Sequence, residues 1–267
     1  MRVQLHRALS KLGFCSRTQA ITLIKEGKVQ VNGRVTNGPL TWVDTDVDII
    51  KVAGAGSKQV SMPREKNGGK RENRASEIPQ QLRSPAKVYW MLHKPKGYIT
   101  TRDDEKKRRT IYDLLPKSIS WIFPVGRLDM DSEGLLLLTN DGPWGQRLLD
   151  PVSHIEKEYL VWIASGENLN RFDHERLEEG VVLEGIRTLP CVISRKEDEV
   201  ECDSQDGREC WSIVISEGRN RQVRKMFELL GYNVKRLMRV RIGSVVLGDL
   251  KSGELRELTR KEVEGLS

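Results

Sequence analysis

The chain has 267 residues, of which 37% are hydrophobic and 31% charged, and its formal net charge is +7. This length accommodates one large and one small domain, and no apolar run reaches the roughly 18 residues that a membrane-spanning helix needs. We therefore expect a core-forming protein without a membrane segment and, because no secretory signal pattern is visible, a cytoplasmic one. The four cysteines form no CxxC pair, which argues against structural zinc and predicts reduced, buried thiols.

Cations are concentrated in three segments of the chain. Residues 1–38 hold seven Lys/Arg and one acid, residues 57–87 hold eight and three, and residues 219–241 hold eight and one. Clustered cations are typical of proteins that bind a polyanion, since each neutralised phosphate releases counterions. Solvated helix faces and a solubilising tail are the alternative for any single segment, and an organelle transit peptide is the alternative for the first 25 residues, which contain no acid. The three segments together favour a nucleic-acid partner.

Residues 1–53 are predicted to form a small unit of two helices and short strands. Apolar residues recur at helical spacing over 5–12, and Ser16 with Gln19 has the spacing of a capping box that opens a second helix ending at Gly27. Three strands are predicted after this helix. The first, 29–31, is joined to the second, at Val35, by a tight Asn32–Gly33 turn, and the third covers 47–52.

The phrases SRTQA and IKEGKVQVNG, with the hydrophobic spacing between them, resemble the S4 RNA-binding module. A generic small ααβ unit is the alternative. The resemblance implies that this unit holds structured RNA on its basic surface. The cations expected to contact RNA are Arg7, Arg17, Lys28 and Arg34.

Residues 54–86 differ in composition from both flanks. They are rich in Gly, Ser, Pro, Lys and Arg and nearly empty of large apolar side chains. Such a segment cannot bury enough surface to offset its ordering entropy, so we predict a flexible basic linker. Contact with RNA phosphates and simple solubility are equally compatible with its charge.

Residues 87–267 are predicted to form an α+β domain built on a mixed, mainly antiparallel sheet with flanking helices. The predicted strands lie in VYWMLHKP, IFPVGRLD, GLLLLTND, EYLVWIA, CVISRKEDEVECD and CWSIVIS. A short helical turn is predicted in TIYDLLP, and helices are predicted over 145–149, 169–179 and 222–230, the last closed by Gly231.

The stretch GRLDMDSEGLLLLTNDG places Asp129 between Arg127 and a run of four leucines. By itself, an Asp after a strand is more often a turn former or a helix cap than a catalytic group. Four further motifs accompany it in chain order: HKPKGYIT, EKEYLV, EGRNRQVRKMFELLGYNVKRLMRVRIG and LKSGELRELT. Together they resemble the pseudouridine synthases, in the branch that modifies ribosomal RNA and carries an N-terminal S4 module.

The resemblance implies an isomerisation of uridine within RNA, in which the N1–C1′ bond breaks, the base rotates and C5 is joined to C1′. No redox change or transfer to another molecule is involved, and we expect no cofactor and no metal; the sequence has neither a phosphate-binding P-loop motif nor a strand-linked GxGxxG motif. The target uridine must flip out, since neither C1′ nor C5 is reachable in a stacked helix. We expect ribosomal RNA or a ribosomal assembly intermediate as the partner, and a monomeric protein.

Residue-by-residue matching to the family implies three catalytic residues, Asp129, Tyr159 and Arg224. Asp129 would attack the sugar or base as a nucleophile, or remove the C2′ proton so that a glycal forms. Both roles need an ionised carboxylate in a poorly hydrated site. The leucine strand is expected to exclude water there, and Arg224, the family's basic partner for this aspartate, to keep the acid charged. Tyr159 would stack on the target base.

The resemblance also implies residues that contact RNA or the base. Arg127 is expected to fill the gap left by the flipped uridine, and Leu237 to form an apolar wall opposite Tyr159. Arg219 and Arg221 lie in the basic motif and are expected to bind RNA. The alternatives are structural: core packing for the tyrosine and leucine, and ordinary ion pairs or surface positions for the arginines.

The leading interpretation is a ribosomal RNA pseudouridine synthase, and the RNRQVRKM string and the REL-containing ending favour the large-subunit RNA over the small-subunit RNA. An RNA-binding assembly factor with a silent active site is the main alternative, and the intact catalytic set argues against it. A glycosidase that uses paired acids is the third interpretation. It requires Asp131 or Glu133 to face Asp129 across a sugar-sized gap, whereas we expect a loop at Asp131.

Overall fold

In a computed structural model, the chain divides into two compact units: Met1–Val88 with Asn140–Pro143, and Tyr89–Thr139 with Trp144–Ser267. The structure describes residues 2–53 except 13 and 46, the backbone of 58–60, and residues 86–266 except 103, 117, 118, 120, 165 and 197–208. Within these described ranges, no helix combines the length and the apolar composition needed to cross a membrane. The domain boundaries expected at 53 and 86 stay a prediction.

The N-terminal unit combines two helices with short strands. Its elements are α1 (Leu5–Lys11), α2 (Arg17–Lys25), β1 (Arg2–Gln4), β2 (Val29–Val31), β3 (Arg34–Val35), β4 (Trp42–Asp44), β5 (Ile50–Val52) and β6 (Lys58–Val60). The predicted capping box is present, since the Ser16 hydroxyl accepts from Gln19 N at 3.0 Å and the Gln19 side chain accepts from Ser16 N at 3.1 Å. Asn32 and Gly33 have φ of 51° and 80°, the left-handed values that the predicted two-residue turn requires.

Three strands of this unit depart from the prediction. β1 and β4 pair with each other and are missed because each has three residues and a single buried side chain. β6 lies in the predicted linker but pairs with β5, so the linker prediction is wrong for residues 58–60. The rest of that segment up to residue 85 lies outside the described residues. Both helices and four strands, β1, β2, β4 and β5, bury their apolar side chains in one core.

The second unit is built on one large sheet. Its strands are β7 (Tyr89–Lys94), β8 (Phe123–Val125), β9 (Glu133–Thr139), β10 (Lys157–Ile163), β11 (Val182–Leu183), β12 (Ile186–Arg187), β13 (Val192–Lys196), β14 (Cys210–Ile215), β15 (Val234–Ile242), β16 (Val245–Val246) and β17 (Leu255–Glu257). Its helices are α3 (Gly142–Leu149, which begins in the other unit), α4 (Arg171–Glu179), α5 (Gln222–Leu229) and α6 (Arg260–Gly265). The 3₁₀ turn Ile111–Leu114 occupies the predicted TIYDLLP position.

The strand order is β13-β14-β10-β15-β9-β7-β17, with β16 added on β15 and β8 on β9, while β11 and β12 form a separate hairpin. Only the β9–β15 pair is parallel among the strand pairs of the described residues. The predicted α+β fold with a mixed, mainly antiparallel sheet is therefore confirmed. The predicted burial of the thiols is confirmed for Cys15, Cys191 and Cys210, and Cys202 lies outside the described residues.

The sequence prediction misses β15, although this nine-residue strand lies inside the sheet. Its sequence, VKRLMRVRI, interleaves cations with aliphatic residues, a composition that suggests an exposed segment. The structure accommodates these charges because Arg236 pairs with Glu133 and Arg241 pairs with Glu158. Residues 197–208, which include the second half of one predicted strand, lie outside the described residues.

Gly134 allows β9 to approach β15 closely. Its φ is +104°, and a Cβ at this position would lie 2.2 Å from the carbonyl oxygen of Arg239 and 2.7 Å from its backbone nitrogen. No side chain fits there. The fully buried leucines Leu135–Leu138 follow directly, so the segment that carries Asp129 enters the sheet beside β15.

We predict that Gly134→Ala lowers the free energy of unfolding by about 3 kcal/mol or more, because left-handed strain and a backbone overlap add together. Urea unfolding followed by tryptophan fluorescence measures the change. Gly142→Ala is the matched control, since a Cβ there meets nothing within 4 Å and the residue lies in α3. Equal stability of the two variants would contradict the close approach.

Candidate active site

A buried lysine holds the turn that carries Asp129. Lys94 ends β7, and its side chain is completely buried. Its Nζ donates to the carbonyl oxygens of Pro95 at 3.0 Å, Asp129 at 2.9 Å and Ser132 at 2.6 Å. An ammonium group has three N–H donors, so all of them are used on backbone oxygens.

The protonation of Lys94 is poised near neutral pH. Burial lowers the pKa of its ammonium group to about 8, while the carboxylates of Asp129, Glu133 and Asp131 act in the opposite direction. The lysine therefore carries its third N–H donor at neutral pH and loses it under mildly alkaline conditions.

The loop after β7 holds the same turn from another direction. Gly97 N donates to the carbonyl oxygen of Met130 at 2.7 Å. The Thr100 hydroxyl donates to the carbonyl oxygen of Leu128 at 2.7 Å. Residues 130–131 form a turn, which confirms the loop predicted at Asp131.

The Asp129 side chain faces a cavity of about 410 Å³. Tyr159, Leu237, Ile215 and Val223 form the apolar and aromatic part of its wall, and the rest is polar, with Arg127, Ser132, Arg219, Asn220, Arg221 and Gln222. The carboxylate itself is 36% exposed, whereas Leu237 and Tyr159 are only 5% and 8% exposed. Apolar side chains are thus present beside Asp129, but the acid is not sealed from water: it lines an open cavity with both polar and apolar walls.

The arginines near the turn are arranged differently from the prediction. Arg224, expected to pair with Asp129, is 4% exposed and donates to the carbonyl oxygens of Asp131 at 2.8 Å and Val234 at 2.9 Å. Its Nε lies 3.3 Å from the Asp131 carboxylate. Arg221 Nη1 is 3.0 Å from both Asp131 oxygens and 3.8 Å from Asp129 Oδ2. The cation within 4 Å of Asp129 is therefore Arg221, because the Arg224 guanidinium is occupied by backbone carbonyls under the turn.

The acids that flank Asp129 are both bound to arginines. Burial acts to raise the pKa of Asp131, but the hydrogen bond from Arg221 and the charge of Arg224 lower it below its ordinary value. Glu133 is paired with Arg236. A paired-acid glycosidase needs one carboxyl group with a raised pKa as its general acid, so this arrangement argues against the glycosidase interpretation.

Tyr159 lies on β10 in the same cavity wall and is held by a buried cation. Arg239, directly opposite on β15, lies with its guanidinium carbon 5.9 Å from the ring centre. Its Nη1 is 3.4 Å from the phenol oxygen, and its Nε donates to the carbonyl oxygen of Leu135 at 2.7 Å. Tyr159 is thereby fixed between the sheet and the cavity.

The remaining predicted residues of this unit line the same region. Arg127 is exposed at the cavity wall. Arg219 lines the cavity but donates to the carbonyl oxygens of Ile186 at 3.0 Å and Arg187 at 2.8 Å, and to Glu217 at 3.1 Å. It thus anchors the β11–β12 hairpin, and its contact with RNA stays a prediction.

The cations predicted to bind RNA in the N-terminal unit are all exposed: Arg7, Arg17, Lys28 and Arg34. Lys28 forms an ion pair with Glu26 at 2.8 Å. Exposure is compatible with RNA contact, and the contact stays a prediction for all four.

Sequence reasoning missed Lys94 and Arg239 as site residues. For Lys94 the signal was available: a charged side chain ends an otherwise largely apolar strand directly before Pro95. Arg239 offered no such signal, since it is one of several arginines in β15 and only the sheet register brings it opposite Tyr159.

Comparison with known proteins decides the family. Residues 88–229 match the family described as RNA pseudouridylate synthase, and residues 4–39 match the S4 domain. The chain belongs to the RNA pseudouridylate synthase family. It is therefore an isomerase with an N-terminal S4 domain, and the predicted family, enzyme class and S4 module are confirmed.

The chain is 37% identical over 265 residues to ribosomal large subunit pseudouridine synthase B of Bacillus subtilis (strain 168), covering 98% of this chain and 95% of that protein. It is 35% identical over 270 residues to the protein of the same name from Xylella fastidiosa (strain Temecula1 / ATCC 700964), covering 98% of this chain but only 50% of that relative. A crystal structure of a pseudouridylate synthase shares 30% identity and a TM-score of 0.62, covering 99% of this chain and 100% of that one.

We predict that the single-turnover rate of the synthase falls as pH rises through about 8, the pKa of Lys94. The neutral amine keeps two N–H donors for three carbonyl oxygens, so the turn loosens. The folded-state pKa of Lys94 lies below its ordinary value of 10.5, so between pH 8 and 10.5 the unfolded chain binds more protons than the folded chain. Through Lys94, the free energy of unfolding therefore rises with pH in this range. The expected loss of rate is thus not caused by Lys94 destabilising the fold.

Lys94→Met tests this assignment, since it should be slow at every pH and lack the alkaline decline. Lys251→Met, at an exposed position, should keep the decline. An unchanged alkaline limb in Lys94→Met would show that another group titrates.

Proposed function

We propose that this protein isomerises a specific uridine of ribosomal RNA to pseudouridine, and that the uridine lies in the large-subunit RNA. The observation that carries the proposal is that Asp129 and Tyr159 share the wall of one cavity, in a chain whose family is pseudouridine synthase. The large-subunit assignment is supported by the name of the Bacillus subtilis relative, which is aligned over nearly the whole of both chains.

In this proposal, Asp129 acts on a uridine that has left its helix. The cavity of about 410 Å³ falls within the size range of small-ligand pockets, about 300–1,000 Å³. Asp129 lies in its wall, where the sugar of a stacked nucleotide would not reach. Flipping brings C1′ and C5 to the carboxylate, and the exposed Arg127 fills the gap left in the RNA.

The isomerisation needs no group from outside the nucleotide. The N1–C1′ bond breaks, the base turns, C5 bonds to C1′, N1 gains a proton and C5 loses one. Asp129 serves as the nucleophile, or as the base that removes the C2′ proton. Tyr159 supports the ring of the detached base from one side, and Leu237 supplies an apolar wall.

Arg221 and Arg224 have complementary parts in keeping Asp129 available. Arg221 is the cation within 4 Å of the carboxylate and attracts it by charge. Arg224 acts on the backbone of the turn through the Asp131 carbonyl. The S4 domain and the exposed cations Arg7, Arg17, Lys28 and Arg34 hold the surrounding RNA structure.

We predict that Asp129→Asn abolishes pseudouridine formation in ribosomal RNA fragments, with a rate reduced by about 10³-fold or more. The amide is nearly isosteric but neither nucleophilic nor basic. Carbodiimide-dependent stops of reverse transcription report the product, and Asp249→Asn, at an exposed position, should retain activity. Free uracil in place of pseudouridine would support a glycosidase, and bound RNA without product in wild type would support a silent assembly factor.

We predict that Arg7→Gln combined with Arg17→Gln makes the salt dependence of RNA binding shallower, with the slope of log K against log salt reduced by about 1.5 for two lost phosphate contacts. The loss of affinity is then greatest at low salt. Filter binding over a salt series measures it. The control pair Lys251→Gln with Lys261→Gln removes two equally exposed cations, and equal slopes for the two doubles would rule out S4 phosphate contacts at these positions.

A further inference from the structure

A second cavity, of about 370 Å³, adjoins the one that contains Asp129. The two share Gly126, Arg127, Tyr159, Gly218 and Arg219 as lining residues. The proposed isomerisation takes place in the first cavity and leaves the second without a role. Part of its wall is apolar, formed by side chains such as Leu137, Leu148 and Ile242.

Two cations line this second cavity, the buried Arg239 and the half-buried Lys157. Within the part of the chain that the structure describes, neither has a carboxylate within 4 Å. Lys157 Nζ donates to the carbonyl oxygen of Ile155 at 2.8 Å. Arg239 is 4% exposed, and its buried Nη2 has no hydrogen-bond partner among the described residues.

Two other arginines of β15 do have carboxylate partners. Arg236 is paired with Glu133, and Arg241 is paired with Glu158 and Glu156. The acids in the lining of the second cavity do not compensate its charge. Asp150 accepts from Val152 N at 3.0 Å.

The other acid of the lining, Glu217, is also bound elsewhere. It accepts from Arg219 at 3.1 Å and from Gln222 at 2.6 Å. Neither Asp150 nor Glu217 lies within 4 Å of Lys157 or Arg239, and the lining of the second cavity holds four cations against these two acids. Burial and the neighbouring Arg239 both lower the pKa of Lys157, as expected where two cations lie close together in a poorly hydrated place. A buried charge without a partner is unfavourable, and an anion would remove that penalty.

The sheet places both cations beside the tyrosine of the first cavity. Lys157 lies two residues before Tyr159 on β10, so their side chains share a face of the sheet. Arg239 is the direct cross-strand partner of Tyr159. A base that rests on Tyr159 therefore lies beside both cations.

We propose that the second cavity binds a phosphodiester of the RNA adjacent to the flipped uridine, with Lys157 and Arg239 as its counterions. This inference rests on the proposed function, since it assigns the cavity to the substrate strand. A purely structural role, in which Arg239 only supports Tyr159, accounts neither for the unpartnered Nη2 nor for a second, half-buried cation that contacts a single carbonyl oxygen. A phosphate group has oxygens enough to serve both.

The anion site is tested first with inorganic phosphate, against sodium chloride at matched ionic strength. Phosphate should raise the melting temperature of the wild type saturably, and Lys157→Met should increase the half-saturating concentration about tenfold. Lys251→Met, an exposed lysine, should respond like the wild type. Equal effects of phosphate and chloride, or an unchanged response in Lys157→Met, would overturn the anion site.

The source of the phosphate is tested with an RNA fragment in which the wild type forms pseudouridine. The phosphodiester on each side of the target uridine is replaced in turn by a neutral methylphosphonate. One of the two replacements should weaken wild-type binding about tenfold and should weaken Lys157→Met no further. This comparison uses the wild-type protein for its main result, so it does not depend on the folding of a variant.

If both methylphosphonate replacements leave the RNA affinity of the wild type unchanged while inorganic phosphate still binds saturably, the cavity binds free phosphate. That result would overturn the proposed contact with RNA. Pseudouridine formation is measured in the same samples. Its absence from every ribosomal RNA fragment would remove the proposed function and the substrate-strand assignment together, whereas the phosphate titration would still decide whether the cavity binds an anion.

Discussion

The hydrogen bonds from the buried ammonium of Lys94 to the turn before β9 are the contacts on which the candidate site depends. This lysine is part of a larger pattern, because every carbonyl oxygen of residues 129–132 accepts a hydrogen bond. The donors, in chain order, are Lys94, Gly97 N, the Arg224 side chain and Lys94 again. The backbone of Asp129 is therefore fixed, while its side chain is left facing the cavity with Arg221 at 3.8 Å. A preorganised catalytic group requires a fixed backbone together with a side chain that remains accessible to the substrate.

The distribution of charge divides the site into two regions. On the turn, the acids near Asp129 are neutralised by arginines, so Asp129 is the carboxylate that faces the first cavity. On the other side of Tyr159, Lys157 and Arg239 line the second cavity, and neither has a carboxylate within 4 Å among the described residues. An RNA nucleotide has the matching asymmetry, with a neutral base and an anionic backbone. The close packing of β9 on β15 at Gly134 sets the distance between the two regions, since it fixes the turn relative to the strand that carries Leu237 and Arg239.

Local rules predicted the parts of the fold that depend on few residues. The capping box at Ser16 and the Asn32–Gly33 turn are set by neighbours in sequence, and the leucine strand by its composition, so each could be read directly. The strand β15 could not be read in this way, because two of its arginines, Arg236 and Arg241, are neutralised only by acids far away in sequence. Arg224 shows the same limit. A motif identifies it as a basic partner of the site, but Asp129 and Asp131 are two residues apart, and the path of the turn decides which of them it reaches.

The central claim is that the Asp129 carboxylate isomerises a uridine of large-subunit ribosomal RNA. The most direct measurement is a pseudouridine map of ribosomal RNA from cells that lack this gene, complemented with the wild-type or the Asp129→Asn chain. The account predicts that one large-subunit pseudouridine disappears, returns with the wild type and stays absent with Asp129→Asn. A map that is unchanged by loss of the gene, or a modification restored by Asp129→Asn, would contradict it.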